Sequence, residues 1–235
     1  ASVGAILTCV VAFAGWKPAR RAARARADVP TGRFSGQLGR SVVANLAGCA
    51  LTVGYPTVMS LMVSKTAIAH AAGLLFAISM TRALLLLPLN VFQPMLISHF
   101  VSARGHGTKL LAALWGIVAG AGAVIAAAVA LIGPFLLRLL AKDYQLSPGL
   151  LAALTLGAAA VTLAVATGAL ALSLGAHTAY MVGWIVAVAV SAAALALPLP
   201  LNTATVVSLL IGPVVGALIH SAAIARRLRV PMAEA

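Results

Sequence analysis

The sequence predicts an all-α protein that crosses a membrane several times. Of its 235 residues, 63% are apolar and only 8% are charged, and the mean hydropathy is +1.10. A soluble domain has about a quarter of its residues charged. The whole chain contains three carboxylates, and none of them lies inside an apolar run. Helices are the expected spanning element, because every backbone polar group in lipid must be bonded internally.

The apolar runs of the chain predict its spanning helices, each of which needs roughly 20 mostly apolar residues. The chain contains one partial candidate at 1–16 and six full candidates at 41–63, 73–97, 110–133, 150–174, 179–197 and 204–225. We interpret 1–16 as part of a spanning helix in a fragment, rather than as a secretory signal, because a basic region in front of it is missing. The chain then divides into this partial helix, a basic linker (17–40), a six-helix transmembrane region (41–225) and a tail (226–235).

The basic residues lie mainly between the apolar runs, and their distribution predicts an orientation. Cytoplasmic loops of membrane proteins carry an excess of Lys and Arg. With the 17–40 linker placed in the cytoplasm, twelve of the sixteen positive charges lie inside, three lie outside, and one, Arg82, lies within a span. The C-terminal tail is then cytoplasmic as well. Because topology explains the net charge of +13, no nucleic-acid partner is expected.

Arg82 is the only charged residue well inside a predicted span. It lies about 13 Å along its helix from the outer end. A charge at this depth costs a few kcal/mol, so it is expected to face a water-filled cavity or a partner. The chain has no carboxylate at this depth. A phosphate of a substrate would suit the planar guanidinium fork. The alternative is an Arg that snorkels or bonds backbone carbonyls and so holds its helix in place.

Three amide side chains extend this candidate site. Asn90 and Gln93 follow Arg82 on nearly the same helix face, which predicts a polar stripe. Asn45, in the 41–63 run, is expected to line the same cavity near its inner end. Hydrogen bonding between helices is the alternative role for such polar groups. We therefore predict Arg82, Asn90, Gln93 and Asn45 as the substrate-binding residues.

No pattern in the chain indicates catalysis. A phosphate-binding loop, a nucleophile paired with a base and a paired acid and base are all missing from the sequence. No two histidines have metal-ligand spacing, and His220 is interpreted as an interfacial residue near the inner end of its span. We predict no catalytic residue, no metal, no cofactor and no enzymatic activity.

Two further patterns concern packing. Segment 134–144 has leucines on one face and two basic residues on another, which predicts a short amphipathic helix in the outer interface. Gly116 and Gly120, and likewise Gly212 and Gly216, have the spacing that lets two helices approach closely.

In order and spacing, these features resemble the C-terminal half of a polysaccharide (O-antigen type) flippase of the multidrug/oligosaccharidyl-lipid/polysaccharide exporter superfamily. The resemblance covers essentially the whole chain. It rests on a basic connector before Ser41-Val-Val-Ala-Asn45-Leu, on Arg82 followed by Pro88-Leu-Asn-Val-Phe-Gln-Pro94, on Gly133-Pro134-Phe135-Leu136 leading to Lys142-Asp143-Tyr144, and on the turn Leu174-Gly-Ala-His177.

The resemblance implies one lobe of a two-lobed exporter in the bacterial cytoplasmic membrane. The expected partners are the lipid bilayer, the N-terminal lobe of the same protein, and a lipid-linked anionic glycan on a polyprenyl-pyrophosphate carrier. Such a protein flips its cargo by alternating access for polysaccharide biosynthesis. Arg82 would then meet the pyrophosphate or an acidic sugar, and Asn90, Gln93 and Asn45 would contact sugar hydroxyls.

Three alternatives stay open at this point. A cation-coupled multidrug exporter of the same fold often uses membrane-embedded carboxylates, which this sequence lacks. A lipid-II flippase belongs to the same superfamily. A membrane scaffold without transport activity would show a tightly packed lobe, whereas a cavity lined by Arg82 and Asn90 would favour transport.

Overall fold

The computed structural model describes residues 31–69, 71–102, 107–140 and 145–229. All regular structure in these ranges is helical, which confirms the all-α class. The helices are α1 (Thr31–Thr52), α2 (Tyr55–Met62), α3 (Lys65–Ala69), α4 (Ala72–Ser102), α5 (Gly107–Leu140), α6 (Pro148–Ser173), α7 (His177–Leu195) and α8 (Leu201–Arg229). The predicted partial helix at 1–16, residues 17–30 of the linker and residues 230–235 of the tail lie outside the described residues.

Five of these helices, α4 to α8, are long and apolar enough to cross a membrane. They coincide with the last five predicted spans, with ends shifted by a few residues. Several helices of this length and composition are typical of a membrane-embedded protein.

The predicted span 41–63 is broken rather than straight. α1 ends at Thr52, α2 begins at Tyr55, and the direction of the chain changes by 79° between them. Pro56 explains the break, because a proline has no N–H to donate to the carbonyl of Thr52 four residues earlier. The N–H groups of the two residues between the helices both bond the carbonyl oxygen of Cys49, at 3.0 and 2.7 Å. Together α1 and α2 still have the length and composition of one span.

The separate amphipathic helix predicted at 134–144 is not formed, so this prediction is wrong. α5 includes Pro134 and continues to Leu140, and residues 141–144 lie outside the described part of the chain. A proline inside a helix removes only one backbone hydrogen bond, and spanning helices tolerate this loss when neighbouring groups compensate.

Part of the predicted linker is helical. α1 begins at Thr31, so residues 31–40 are helical, and at the other end of the chain α8 continues to Arg229. The chain forms two compact units, 1–39 and 40–235. Every contact described below lies within the second unit.

α6 is the central helix of the second unit. It contacts α4, α5 and α8, and 67% of the residues in its apolar stretch are buried, against 17% for α5. Small residues allow this packing: a Cβ atom added to Gly157 would lie 2.9 Å from the Cβ atom of Leu209 on α8. Close backbone approach of this kind drives helix association in lipid.

The two glycine pairs differ in their surroundings. A Cβ atom on Gly216 would lie 2.9 Å from the Cβ atom of Ala187 on α7, and one on Gly212 would lie 2.6 Å from the backbone oxygen of that residue. A Cβ atom added to Gly116 or Gly120 on α5 would have no described atom within 4 Å. Only the α8 pair therefore packs a helix within the described chain.

Candidate functional site

The second unit contains a cavity of about 580 Å³. Its walls come from α1, α4, α6 and α7, and they include Asn45, Thr52, Asn90, Gln93, Tyr180 and Trp184. Apart from those of α1, the wall residues run from the middle of α4 towards its end, through the last third of α6 and the first half of α7, so the cavity lies towards one end of the bundle.

The α4 wall carries two amide side chains. Asn90 and Gln93 lie three residues apart, which places them on one face of the helix. Asn90 is exposed and Gln93 is half-buried. Neither side chain hydrogen-bonds another described residue, so their donors and acceptors are free. The structure thus brings these two predicted residues together in one cavity.

Asn45 lines the same cavity, but its amide is already engaged. Its Oδ1 atom accepts a hydrogen bond from the hydroxyl of Tyr180 at 3.3 Å, and its Nδ2 atom donates to the carbonyl of Ser41 at 2.9 Å. The hydroxyl of Ser41 in turn lies 3.4 Å from Nδ1 of His177. The Tyr180–Asn45 and Ser41–His177 contacts join α1 to α7. Asn45 therefore connects two walls of the cavity and has no free oxygen to offer a ligand.

Arg82 is not one of the residues that line the cavity, although it contacts Thr52 of the wall, and only 6% of its surface is exposed. Its Nη1 atom donates to the carbonyl of Thr52 at 3.0 Å. The guanidinium carbon lies 4.9 Å from the centre of the Tyr55 ring, and the hydroxyl of Tyr55 donates to Oγ of Ser208 at 3.0 Å. This geometry corresponds to the alternative given above, an Arg that bonds a backbone carbonyl.

Sequence reasoning missed a cluster of aromatic side chains behind the cavity. Tyr180 and Trp184 of α7 line the wall, and the ring of His220 lies 5.9 and 6.0 Å from theirs. The Nε2 atom of His220 lies 3.3 Å from the carbonyl of Tyr180, and Nδ1 lies 3.4 Å from the hydroxyl of Thr167. His220 is fully buried against α6 and α7, and its predicted interfacial depth in the membrane stays a prediction.

One sequence signal could have indicated this cluster. Gly183 on α7 leaves room for His220, because a Cβ atom added to Gly183 would overlap the imidazole ring. A glycine in the middle of a spanning helix can mark such a close approach. Nothing in the spacing of the residues showed which side chain fills that space.

Among the described residues, none that lines the cavity has a charged side chain. The three carboxylates of the chain, at positions 28, 143 and 234, all lie outside the described residues. In the described part of the chain, no three His, Cys, Asp or Glu side chains come close enough to hold a metal ion. The cavity therefore offers neutral hydrogen-bonding groups and apolar surface.

Comparison with known proteins finds relatives from mycobacteria. The chain is 37% identical over 232 residues to the uncharacterized proteins Rv3630 of Mycobacterium tuberculosis (strain H37Rv) and Mb3654 of Mycobacterium bovis, and this match covers 95% of the chain and 54% of each relative. It is 38% identical over 188 residues to the uncharacterized protein Rv1510 of M. tuberculosis, covering 80% of the chain and 43% of that protein. The chain thus spans about half the length of the curated relatives it matches. It matches no family model and no solved structure.

Proposed function

We propose that the chain is part of a membrane transporter that flips a lipid-linked oligosaccharide across the bacterial cytoplasmic membrane. The observation that carries this proposal is the cavity with the unpaired amides of Asn90 and Gln93. Polar groups are costly inside lipid and are usually paired with one another or placed beside a substrate pathway. Two free amides beside a cavity of this size favour a polar cargo, since small-molecule sites have volumes of about 300–1,000 Å³.

The position of the cavity supports transport from the cytoplasmic side. α4 ends, α5 begins and α8 ends at the same end of the bundle, where Lys109, Arg226 and Arg227 are exposed. By the positive-inside rule this end faces the cytoplasm. In the proposed topology, α1 and α2 together form a sixth, broken span. The cavity then lies nearer the side where a lipid-linked precursor would be loaded.

Two lobes that alternate in access are the proposed arrangement of the whole protein. The relatives are almost twice as long as the region that this chain matches, which leaves room in them for a second lobe. Transport is proposed in preference to catalysis because the described cavity wall contains amides, aromatic rings and one thiol, without a base beside the thiol.

Flipping can be measured with the full-length protein in liposomes, using a fluorescent polyprenyl-pyrophosphoryl disaccharide of N-acetylglucosamine. The double variant Asn90→Ala/Gln93→Ala should flip this probe about 30-fold more slowly, because each lost hydrogen bond is worth about 1 kcal/mol. Asn202→Ala is the matched control, since Asn202 is an exposed amide at the start of α8, a helix that contributes no described residue to the cavity wall. Equal rates for the two variants at equal protein content would refute the proposal.

A further inference from the structure

We propose that this cavity binds an uncharged sugar of the cargo, and that it does not hold the pyrophosphate or an acidic sugar. The inference rests on the proposed function and specifies which part of the cargo this half of the protein contacts. It departs from the interpretation that Arg82 meets an anion. Three observations carry it: the free amides, the absence of charge in the described cavity lining, and the burial of Arg82 outside that lining.

The amides on α4 match neighbouring hydroxyl groups. Each carboxamide has an oxygen that accepts and a nitrogen that donates two hydrogen bonds. Asn90 and Gln93 lie one turn apart on the same face. A pyranose ring carries hydroxyls on adjacent carbons, and each hydroxyl both donates and accepts. Two amides at this spacing can therefore satisfy a pair of ring hydroxyls without any ion.

The remaining walls suit the apolar faces of a sugar ring. Leu86 and Ile97 on α4, Leu172 on α6 and Trp184 on α7 belong to the same cavity lining as the amides. The C–H groups on the two faces of a pyranose are apolar, whereas its edge is polar. A site that combines amides with apolar side chains is complementary to such a ring, and ligand sites generally combine apolar walls with a few polar groups.

An anion in the same place would lack a counter-charge. The described cavity lining contains no Lys, Arg or His. Arg82 is not in this lining: its Nη1 donates to the carbonyl of Thr52, its guanidinium lies over the ring of Tyr55, and its Nε and Nη2 atoms are buried without a hydrogen-bond partner. Removing a phosphate or carboxylate from water without a partner costs far more than removing a hydroxyl that finds its hydrogen bonds. The cavity therefore discriminates against charged groups.

Cys49 provides a direct measurement of occupancy, because this exposed thiol belongs to the cavity wall. In the full-length protein with Cys49 as the single cysteine, the rate of maleimide labelling is followed with and without ligand. The probes are chitobiose, which is neutral, the disaccharide of glucuronic acid and N-acetylglucosamine, which carries one carboxylate, and geranyl pyrophosphate. Chitobiose should slow labelling, and the two anions should require at least about tenfold higher concentrations for the same protection.

Variants separate binding from general effects on structure. Asn90→Leu/Gln93→Leu should abolish protection by chitobiose while the labelling rate without ligand stays the same. Asn202→Leu is the control and should preserve protection. Asn90→Arg should shift the preference towards the acidic disaccharide, because it places a cation in the cavity. Stronger protection by either anion in the unmodified protein would overturn the inference, and so would protection that persists in the Asn90→Leu/Gln93→Leu variant.

Failure of this inference and failure of the proposed function give different results. If the protein flips the lipid-linked probe but Cys49 is protected by geranyl pyrophosphate, transport stands and the neutral-sugar site is wrong. If chitobiose protects Cys49 but no flipping occurs, the sugar site stands and the transport function is wrong.

Discussion

Arg82 shows, at the scale of a single residue, how a buried charge can serve the backbone. Thr52 would normally accept a hydrogen bond from the residue four positions later, but that residue is Pro56, which has no N–H. Arg82 supplies the missing donor at 3.0 Å. The sequence identified Arg82 as exceptional because it lies within an apolar run. It could not identify the partner, because the contact joins α4 to the end of α1 and depends on where α1 breaks.

Arg82→Ala should destabilise the protein by about 1–3 kcal/mol, because it removes a hydrogen bond from a charged donor to the carbonyl of the half-buried Thr52. In the Pro56→Ala background the new N–H can bond this carbonyl, so the cost of Arg82→Ala should fall by about 1 kcal/mol or more. Thermal unfolding of the unmodified protein, the two single variants and the double variant, all in the same detergent, measures this coupling. Strictly additive effects would show that Arg82 does not replace the hydrogen bond that Pro56 lacks.

The positions of the amide side chains could be predicted from the sequence only in part. The polar stripe on one face of α4 predicted that Asn90 and Gln93 would share a wall, and the structure places both in the cavity. Helical periodicity was sufficient here, because the two residues lie on one helix. Asn45 lines the same cavity, but its engagement with Tyr180 depends on how α1 packs against α7, which periodicity does not determine.

At the scale of helices, the apolar runs predicted α4 to α8 well because length and composition alone decide whether a segment can span a membrane. The break between α1 and α2 and the continuation of α5 through Pro134 were not predicted. Both cases involve a proline within an apolar run. The difference is physical: a proline permits a bend, and the surrounding contacts determine whether the helix bends there or continues.

The two glycine pairs give a matched test of helix packing. Gly216→Val should destabilise the protein by at least about 1–3 kcal/mol, because the added side chain has no room beside Ala187. Gly116→Val changes the same residue type in the middle of another helix, where the described chain leaves open space, and should have a much smaller effect. Thermal unfolding of both variants in the same detergent provides the comparison. Equal destabilisation would contradict the observed packing of α7 on α8.

At the scale of the whole molecule, the main feature is a cavity near the proposed cytoplasmic end of a helical bundle. The scarcity of acidic residues predicted a membrane protein with no embedded ion pair of its own. The structure adds that the described cavity lining is uncharged and that the buried cation supports the α1–α2 break. Composition could not show this, because it does not reveal whether a polar side chain faces a cavity or a backbone carbonyl.

Blocking the cavity tests whether the cargo passes through it. In the full-length protein with Cys49 as the single cysteine, a bulky maleimide attached to this wall residue should stop flipping of the fluorescent lipid-linked disaccharide in liposomes. The control carries Cys49→Ser and Asn202→Cys, and its complete labelling at the exposed start of α8 should leave the flipping rate unchanged. Undiminished flipping after complete modification of Cys49 would contradict the claim that cargo passes through this cavity.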